Sequence, residues 1–425
     1  MRIWLITVAE PLPIDSENAR LLRTGILAEA LAAKGHEVVW WTSTFDHFAK
    51  KNRFGEDTCV TVRDGYEVRM LYGNEYKKNI SLARIRNHRQ VAKAFWRLAS
   101  EAEPPEVILC SMPTVELSLA AARFGGQRSI PVLLDLRDLW PDIFVDHVPR
   151  LLRPVVNWAT VSMRRDLAEA CRSAFGLVGM TEEFLDWGLE YAGRPRHTYD
   201  QVIPLAYRRD PPPVAALDKA NAFWKEKKIG IEPEEFVVCF FGNLSKRYEL
   251  HNVIHAAKLL NKRSVRCRFV LCGKGEDMAN CQRLAAGQDN VCFPGWVGAA
   301  EIWTLMRKSK LGIVPYPSSR DFVRSIPNKA IEYLSAGLPI ITSLSGTLQK
   351  LVETEACGVR YQNGDAEMLA DAVAGLATDP GLLAQMSANA EKLFADRFVA
   401  EKVYPQLISC LEELAHRHRR VRQAA

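Results

Sequence analysis

Two charged residues stand out in a stretch that is otherwise apolar. Ser325 to Ile341 reads SIPNKAIEYLSAGLPII, and within it Lys329 and Glu332 lie one helical turn apart. Asn328 is expected to cap the start of a two-turn helix and Gly337 to end it. An ammonium beside a helix N-terminus suits a phosphate, because the helix dipole and the cation both favour negative charge there. A carboxylate one turn further on accepts hydrogen bonds from two vicinal hydroxyls, such as those of a ribose. A nucleotide carries both groups in that order. The plainer alternative is an i,i+3 salt bridge on a solvated face. Ala330, Ile331, Tyr333, Leu334 and Ala336 leave little polar face for it.

Two glycine turns add to this picture. The apolar run FVVCFF ends in Gly242-Asn243-Leu244-Ser245-Lys246-Arg247. A glycine directly after a buried strand lets a ligand approach the backbone, and the next helix start offers free N–H groups to an anion. Lys246 and Arg247 bring two cations to the same place, although an ordinary strand-to-helix turn with surface charge explains them equally well. Downstream, FVLC runs into Gly273-Lys274-Gly275-Glu276. Met278 stands where a dinucleotide fingerprint needs its third glycine, so a tight turn is the expected role.

The elements that must hold these residues are legible as alternating apolar runs and helical patterns. RIWLITVA, HEVVWWTS, YEVRMLYG, EVILCSM, VLLDL and FGLVGM read as strands of a first series. FVVCFFGN, CRFVLCG, NVCFPG, LGIVPY, LPIITS and GVRYQ form a second. Between the first two runs, ENARLLRTGILAEALAAKG has helical spacing and stops at Gly35. Strands alternating with helices imply parallel sheets covered on both faces, hence two doubly wound α/β domains. The chain's 425 residues also exceed what one core usually serves. The expected division is 1–208 for an N-terminal Rossmann-like domain, 209–216 for a linker built on Asp210 and Pro211–Pro213, and 217–396 for a second Rossmann-like domain. Residues 397–425 are expected as a C-terminal helix with a basic tail, packing back toward the first domain. Ligands of open α/β sheets bind at the carboxyl ends of strands, so the cleft between the two domains is the expected site.

Composition excludes several classes. A net charge of +6 favours anionic partners without the concentrated basicity of a nucleic-acid binder. The ten cysteines form no Cys-x-x-Cys pair, and several sit in apolar runs, which fits reduced core thiols in a cytosolic protein better than a zinc site. MRIWLITVAEPLP reads as a buried first strand rather than a secretion signal. No run approaches the ~18 apolar residues of a membrane span.

HNVIHAAKLL, FVLCGKGE, NVCFPGWV, LGIVPYPSSRDFVRSIPNKAIEYLSAGLPIITS and GVRYQNGD, in that order, resemble the C-terminal half of retaining glycosyltransferases of the GT-B fold, family 4. GILAEALAAKGHEVVWWTSTFDH and LLDLRDLWPD are similar to the branch that builds bacterial surface polysaccharides, the WbuB-like aminosugar transferases. The resemblance implies that Glu332 is the second glutamate of an E-x7-E motif and holds the nucleotide ribose. The first glutamate's position is Arg324 here, so its sugar contact passes to the backbone amides of Arg324, Ser325 and Ile326, or to Asp321. The family's diphosphate-binding arginine corresponds to Asn243, which leaves Lys246 or Arg247, with Lys329, to neutralise the phosphates. By the same analogy the base rests near Trp296 and Val297.

The resemblance gives the N-terminal domain the acceptor. Glu10 follows the first strand, and Arg20 and Arg23 are placed on the first helix; structural salt bridging accounts for all three equally well. Asp138 and Asp142, in DLRDLWPD with Arg137 and Trp140, sit where the family has a polar catalytic-centre residue. Asp138 is the first candidate to orient the acceptor hydroxyl, and Asp135 the structural member of the group.

The function so implied is a retaining, metal-independent hexosyl or N-acetylhexosaminyl transfer with no cofactor, from a nucleotide sugar, UDP-linked by expectation. The acceptor is an undecaprenyl-diphosphate-linked glycan, handled at the cytoplasmic membrane face. Lys77 to Arg97 holds seven Lys or Arg and no acid, with Leu82, Ile85, Ala92, Phe95 and Trp96 interleaved. This stretch either lies on an anionic bilayer, with the tail HRHRRVRQ, or packs its apolar stripe on the sheet. The alternatives are a nucleotide-sugar epimerase of the same fold and a non-catalytic nucleotide- or glycan-binding partner.

Overall fold

The computed structural model describes residues 1–16, 19–79, 81–230 and 235–424, apart from the side chains of His147 and residues 420–424. The chain forms two compact units. One comprises Met1–Pro204 with Glu401–Ala425, the other Leu205–Ala400.

The first unit holds β1 (Arg2–Ile6), β2 (Glu37–Ser43), the short antiparallel pair β3 (Phe45–Asp46) and β4 (Lys51–Asn52), β5 (Thr58–Arg63), β6 (Tyr66–Leu71), β7 (Val107–Ser111), β8 (Val132–Leu136), β9 (Gly176–Gly179) and β10 (Gln201–Val202). Its eight-stranded sheet runs β10-β9-β8-β7-β1-β2-β6-β5, parallel except where β5 pairs β6. The six strands read from sequence are all present. β5 was missed because its residues alternate between half-buried and exposed, as befits an edge with one wet face. Trp4 stacks on Phe124 and meets Trp41 edge-on, and Phe95 of the helix Leu82–Glu101 closes the cluster.

The second unit carries β11 (Phe236–Phe241), β12 (Cys267–Cys272), β13 (Val291–Gly295), β14 (Leu311–Val314), β15 (Ile340–Thr342) and β16 (Gly358–Arg360). They form one parallel sheet in the order β13-β12-β11-β14-β15-β16. β11, β14 and β15 are buried along their whole length, which is why they read as continuous apolar runs.

The seam differs from the expected linker. Tyr207 bridges Val399: its N–H reaches the Phe398 carbonyl at 3.0 Å and its carbonyl accepts from Ala400 at 3.1 Å. Residues 205–213 therefore belong to the second unit, and the prolines serve to start the helix Val214–Glu226. The boundary falls at Pro204 because backbone pairing, which composition does not reveal, fastens the following residues. The last helix, Ala400–Ala424, packs Leu407, Leu411 and Leu414 inside the first unit.

Candidate functional site

In the second unit, the helix Asn328–Ser335 follows β14 and buries both of its charged residues, Lys329 at 8% exposure and Glu332 at 2%. An i,i+3 pair on a solvated face is thereby ruled out. The helix cap differs from expectation: Pro327 takes the N-cap position, and Asn328 is the exposed first helical residue with no capping bond. Proline fixes the backbone angle there and makes a side-chain cap unnecessary. Tyr333 anchors the helix, donating to the Cys239 and Ile313 carbonyls at 3.1 and 3.2 Å. Its ring lies flat on Gly312, where a Cβ would come within 2.3 Å of it.

The Lys329 ammonium donates to the Tyr316 hydroxyl at 2.7 Å. It lies 4.5 to 5.5 Å from the ring centres of Phe240, Tyr316 and Tyr248, and Tyr248 stacks on Tyr316. Aromatic faces attract a cation without neutralising it. Burial pushes the Tyr316 hydroxyl well above its ordinary pKa, so it remains protonated. This cage was not foreseen, although the tyrosine ending LGIVPY was a signal for it.

Gly242, at φ +149°, brings the loop after β11 to the same ammonium: a Cβ there would lie 3.0 Å from Nζ. Gly273 and Gly275 serve a different end. A Cβ on Gly273 would meet the Gly242 carbonyl at 1.7 Å, and one on Gly275 the Leu244 carbonyl at 2.2 Å. The second turn thus braces the first, as the tight-turn reading expects, and Leu244 donates its N–H to the Lys274 carbonyl at 2.9 Å. Asn243 and Lys246 on the braced loop are exposed. Arg247 pairs with Asp321 at 2.5 Å and lies 4.5 Å over the Phe322 ring. The structure thus ties together two residues that the sequence reading assigned to separate tasks.

Arg324 follows the short helix Arg320–Val323 and is half-buried. The Ser325 N–H is engaged by the Phe322 carbonyl at 3.2 Å, so that amide is not offered outward; Ile326 packs on the core. Trp296, just past β13, is 63% exposed, whereas its neighbour Val297 is buried.

The first unit handles charge differently. Arg23, at the start of the helix Arg23–Ala33, grips Asp135 with Nε at 3.0 Å and Nη2 at 3.1 Å, and donates Nη1 to the Ile203 and Pro204 carbonyls. Arg137 binds Asp135 at 2.6 Å, Glu10, and the Thr24 hydroxyl at 3.0 Å. Thr24 in turn donates to Glu10 at 2.8 Å. Burial alone would raise the Asp135 pKa, but Arg137 and Arg23 outweigh it and hold the carboxyl below its usual range. Burial would likewise lower Arg137, and Asp135 with Glu10 overturns that. Salt bridging is therefore the observed arrangement of Glu10, Arg23 and Arg137, with Asp135 as its structural centre. Arg20 precedes the helix rather than lying on it, and residues 17 and 18 of the expected helix lie outside the described residues.

Asp142, the second catalytic candidate, is held by three side chains. It opens the 3-10 turn Asp142–His147 and accepts from Arg164, Trp187 and Tyr191, each at 2.9 Å. A carboxylate holding guanidinium, indole and phenol together is a structural tie. Asp138, two residues beyond β8, is half-buried and accepts from the Leu139 N–H at 2.8 Å. Nearby, Arg84 stacks 4.2 Å from the Trp140 ring centre.

The helix Leu82–Glu101 packs its apolar stripe inward: Val91, Ala92, Phe95 and Ala99 are buried. The packing alternative is the one observed, because those side chains complete the tryptophan cluster. Arg86, Arg89 and Lys93 stay exposed; Ile80 and the side chains beyond Arg419 lie outside the described residues. Among the described residues, His251, Asp277 and Cys281 are the one group with metal-ligand types close together. His251 pairs with Asp277 at 2.8 Å, and burial pushes the Cys281 thiol up to about 12, so this trio works as a fastening between helices. No helix among the described residues is long and apolar enough to cross a membrane.

Residues 223–393 match the family model for glycosyl transferases group 1. The chain is 22% identical over 268 residues to the alpha-D-kanosaminyltransferase of Streptomyces kanamyceticus, covering 62% of this chain and 65% of that protein. It is 24% identical over 176 residues to the putative colanic acid biosynthesis glycosyltransferase WcaL of Escherichia coli, covering 40% and 43%. The chain spans between 43% and 65% of the length of the curated relatives it matches. Among solved structures, HepE of Anabaena in complex with UDP-glucose is similar with a TM-score of 0.66 at 15% identity, covering 97% of this chain and all of that one. The chain has the GT-B fold, and the residues that match the glycosyl transferases group 1 model lie within its second unit.

Proposed function

We infer that the protein is a glycosyltransferase that takes its sugar from a nucleotide, UDP by preference, and acts in polysaccharide biosynthesis. The observation that carries this reading is the buried pair on the helix Asn328–Ser335. A lysine held by aromatic rings beside a glycine loop, with a buried carboxylate one turn on, suits a diphosphate and a ribose in succession. The group 1 match covers this helix, and HepE, of the same fold, is described in complex with UDP-glucose.

In the finer reading, Glu332 holds the ribose hydroxyls. Lys329, with Lys246 on the braced loop, receives the outgoing diphosphate, while Trp296 and Val297 bound the base. Helix dipole and fixed cations stabilise the departing charge without a metal, because they are already oriented before charge develops. The sugar keeps its anomeric configuration. Asp138 orients the acceptor hydroxyl, and the Arg23–Asp135–Arg137–Glu10 network fixes the strand end from which it projects. The acceptor in this reading is a lipid-linked glycan, reached by peripheral contact at the cytoplasmic face of a membrane.

Titration of UDP by calorimetry tests the central assignment. Glu332→Gln keeps the shape of the side chain but loses the charge that strengthens hydroxyl binding, and is expected to weaken UDP roughly tenfold or more. Glu332→Ala should abolish turnover. Near-normal UDP affinity in both variants removes the assignment.

A further inference from the structure

The segment from Arg150 to Ala159 contributes no residue to the core of its unit. The 3-10 turn Arg150–Leu152 and the helix Arg153–Ala159 contain no buried residue. Leu151 is 91% exposed, Trp158 80%, and Leu152 and Val155 at least half. Positions 151, 155 and 158 follow helical spacing, so these side chains form one stripe. Isolated surface apolar residues need no explanation, but a contiguous stripe on an element with no inward face does.

Charge identifies what covers it. From His147 to Arg165 the chain contains Arg150, Arg153, Arg164 and Arg165 and no Asp or Glu. Arg164 is engaged by Asp142, while Arg150, Arg153 and Arg165 are exposed. Beside the segment runs a groove that joins Ala159 and Met163 to Leu82, itself 83% exposed, and to Arg86 and Arg89. Glu116 and Asp166 also line this groove, where the arginines Arg86 and Arg89 face them. Apolar side chains ringed by arginine match a surface that is oily inside and anionic at its face.

We propose that Arg150–Ala159 is the membrane-docking element of this protein, seating Leu151, Leu152, Val155 and Trp158 in the interface of an anionic phospholipid bilayer. Its cations lie at headgroup level. Tryptophan suits that depth, since its ring is apolar and its N–H stays with the wet layer. The proposal takes its purpose from the lipid-linked acceptor reading, but its evidence is independent of the donor site. Of the helix Leu82–Glu101 only the N-terminal end, with Leu82, adjoins this element, since Val91, Ala92, Phe95 and Ala99 are buried.

Vesicle flotation of the full chain tests it, using phosphatidylcholine alone and phosphatidylcholine mixed with phosphatidylglycerol. The wild type is expected to float with the mixed vesicles, weakly with the neutral ones, and less as salt rises. Leu151→Ser/Trp158→Ser should lower the partition roughly tenfold or more, since both side chains are exposed and the fold does not need them. Its UDP-induced melting shift should equal that of the wild type. Arg150→Gln/Arg153→Gln should remove much of the preference for the anionic lipid. The proposal is overturned if Leu151→Ser/Trp158→Ser floats like the wild type. Size-exclusion showing a dimer that only Leu151→Ser/Trp158→Ser dissociates, with flotation intact, would assign the stripe to a second copy instead. Flotation without any UDP shift would uphold the docking element and remove the transferase reading.

Discussion

Both units bring charged residues to the carboxyl end of a strand, yet they hold them in opposite ways. In the first, Arg23, Asp135, Arg137 and Glu10 alternate in sign and fill one another's hydrogen-bonding capacity. In the second, Lys329 is surrounded by the faces of Phe240, Tyr248 and Tyr316 beside a helix N-terminus. Opposite charges close a network on itself, whereas the second cation sits against aromatic faces and a phenol at a helix start. The first arrangement builds a wall; the second is the one proposed above to receive a diphosphate. Charge at a strand end is therefore a poor guide to function until its neighbours are known.

Asp135→Ala should break this contrast most sharply on the structural side. It leaves two arginines without their shared carboxylate, and losing one partner of a buried pair costs about 3–5 kcal/mol. Urea denaturation should show that loss for Asp135→Ala, and the first unit should be the one that melts earlier. A change below about 1 kcal/mol would mean that the network is solvated and its closure unimportant.

Lys329→Met probes the other side. The two side chains are of similar length, so the aromatic cage stays filled while the cation is removed. A charge-assisted hydrogen bond to phosphate is worth about 1.5–3 kcal/mol, or roughly ten- to a hundredfold in UDP affinity. Calorimetry should register that weakening with little change in melting temperature. If stability falls and affinity holds, Lys329 is a structural residue like Arg23.

A further effect, spread over the acid range, is expected in the first unit. His47 is held neutral, its pKa pulled down to about 3 by burial and by Lys50, Arg84 and His88. In the unfolded chain it takes up a proton below 6.5, so its contribution to stability is complete above that value and is lost as pH falls toward 3. Melting temperature should therefore drop between pH 6.5 and about 4, before ordinary carboxylates titrate. His47→Gln, which cannot ionise, should flatten this slope; an unchanged slope would assign the acid sensitivity elsewhere.

Much of this was legible in the residues. The strands of both sheets announced themselves because a strand covered on both faces must be apolar throughout. The Lys329–Glu332 pair was legible because two charges in an apolar helix need a reason. What escaped was anything set by distant partners. In the sequence nothing distinguished Asp142 from Asp138, and Arg164, Trp187 and Tyr191 close on Asp142 from residues far along the chain. The edge strand Thr58–Arg63 lacked an apolar run, and the seam at Pro204 depends on the pairing of Tyr207 with Val399. The exposed stripe at Leu151–Trp158 was hidden for the same reason, since a sequence shows which residues are apolar but not which find cover.

The helix Ala400–Ala424 makes the first unit discontinuous. Tyr404 lies under the Arg23 guanidinium, Glu412 binds His36 at 2.8 Å, and Arg417 donates to Tyr199 at 3.1 Å. A domain assembled from both ends of a polypeptide cannot finish folding during synthesis until its last helix has left the ribosome, while the intervening domain can mature first. Shortening this helix would therefore injure the unit whose other residues precede Leu205, and the unit Leu205–Ala400 should survive the cut.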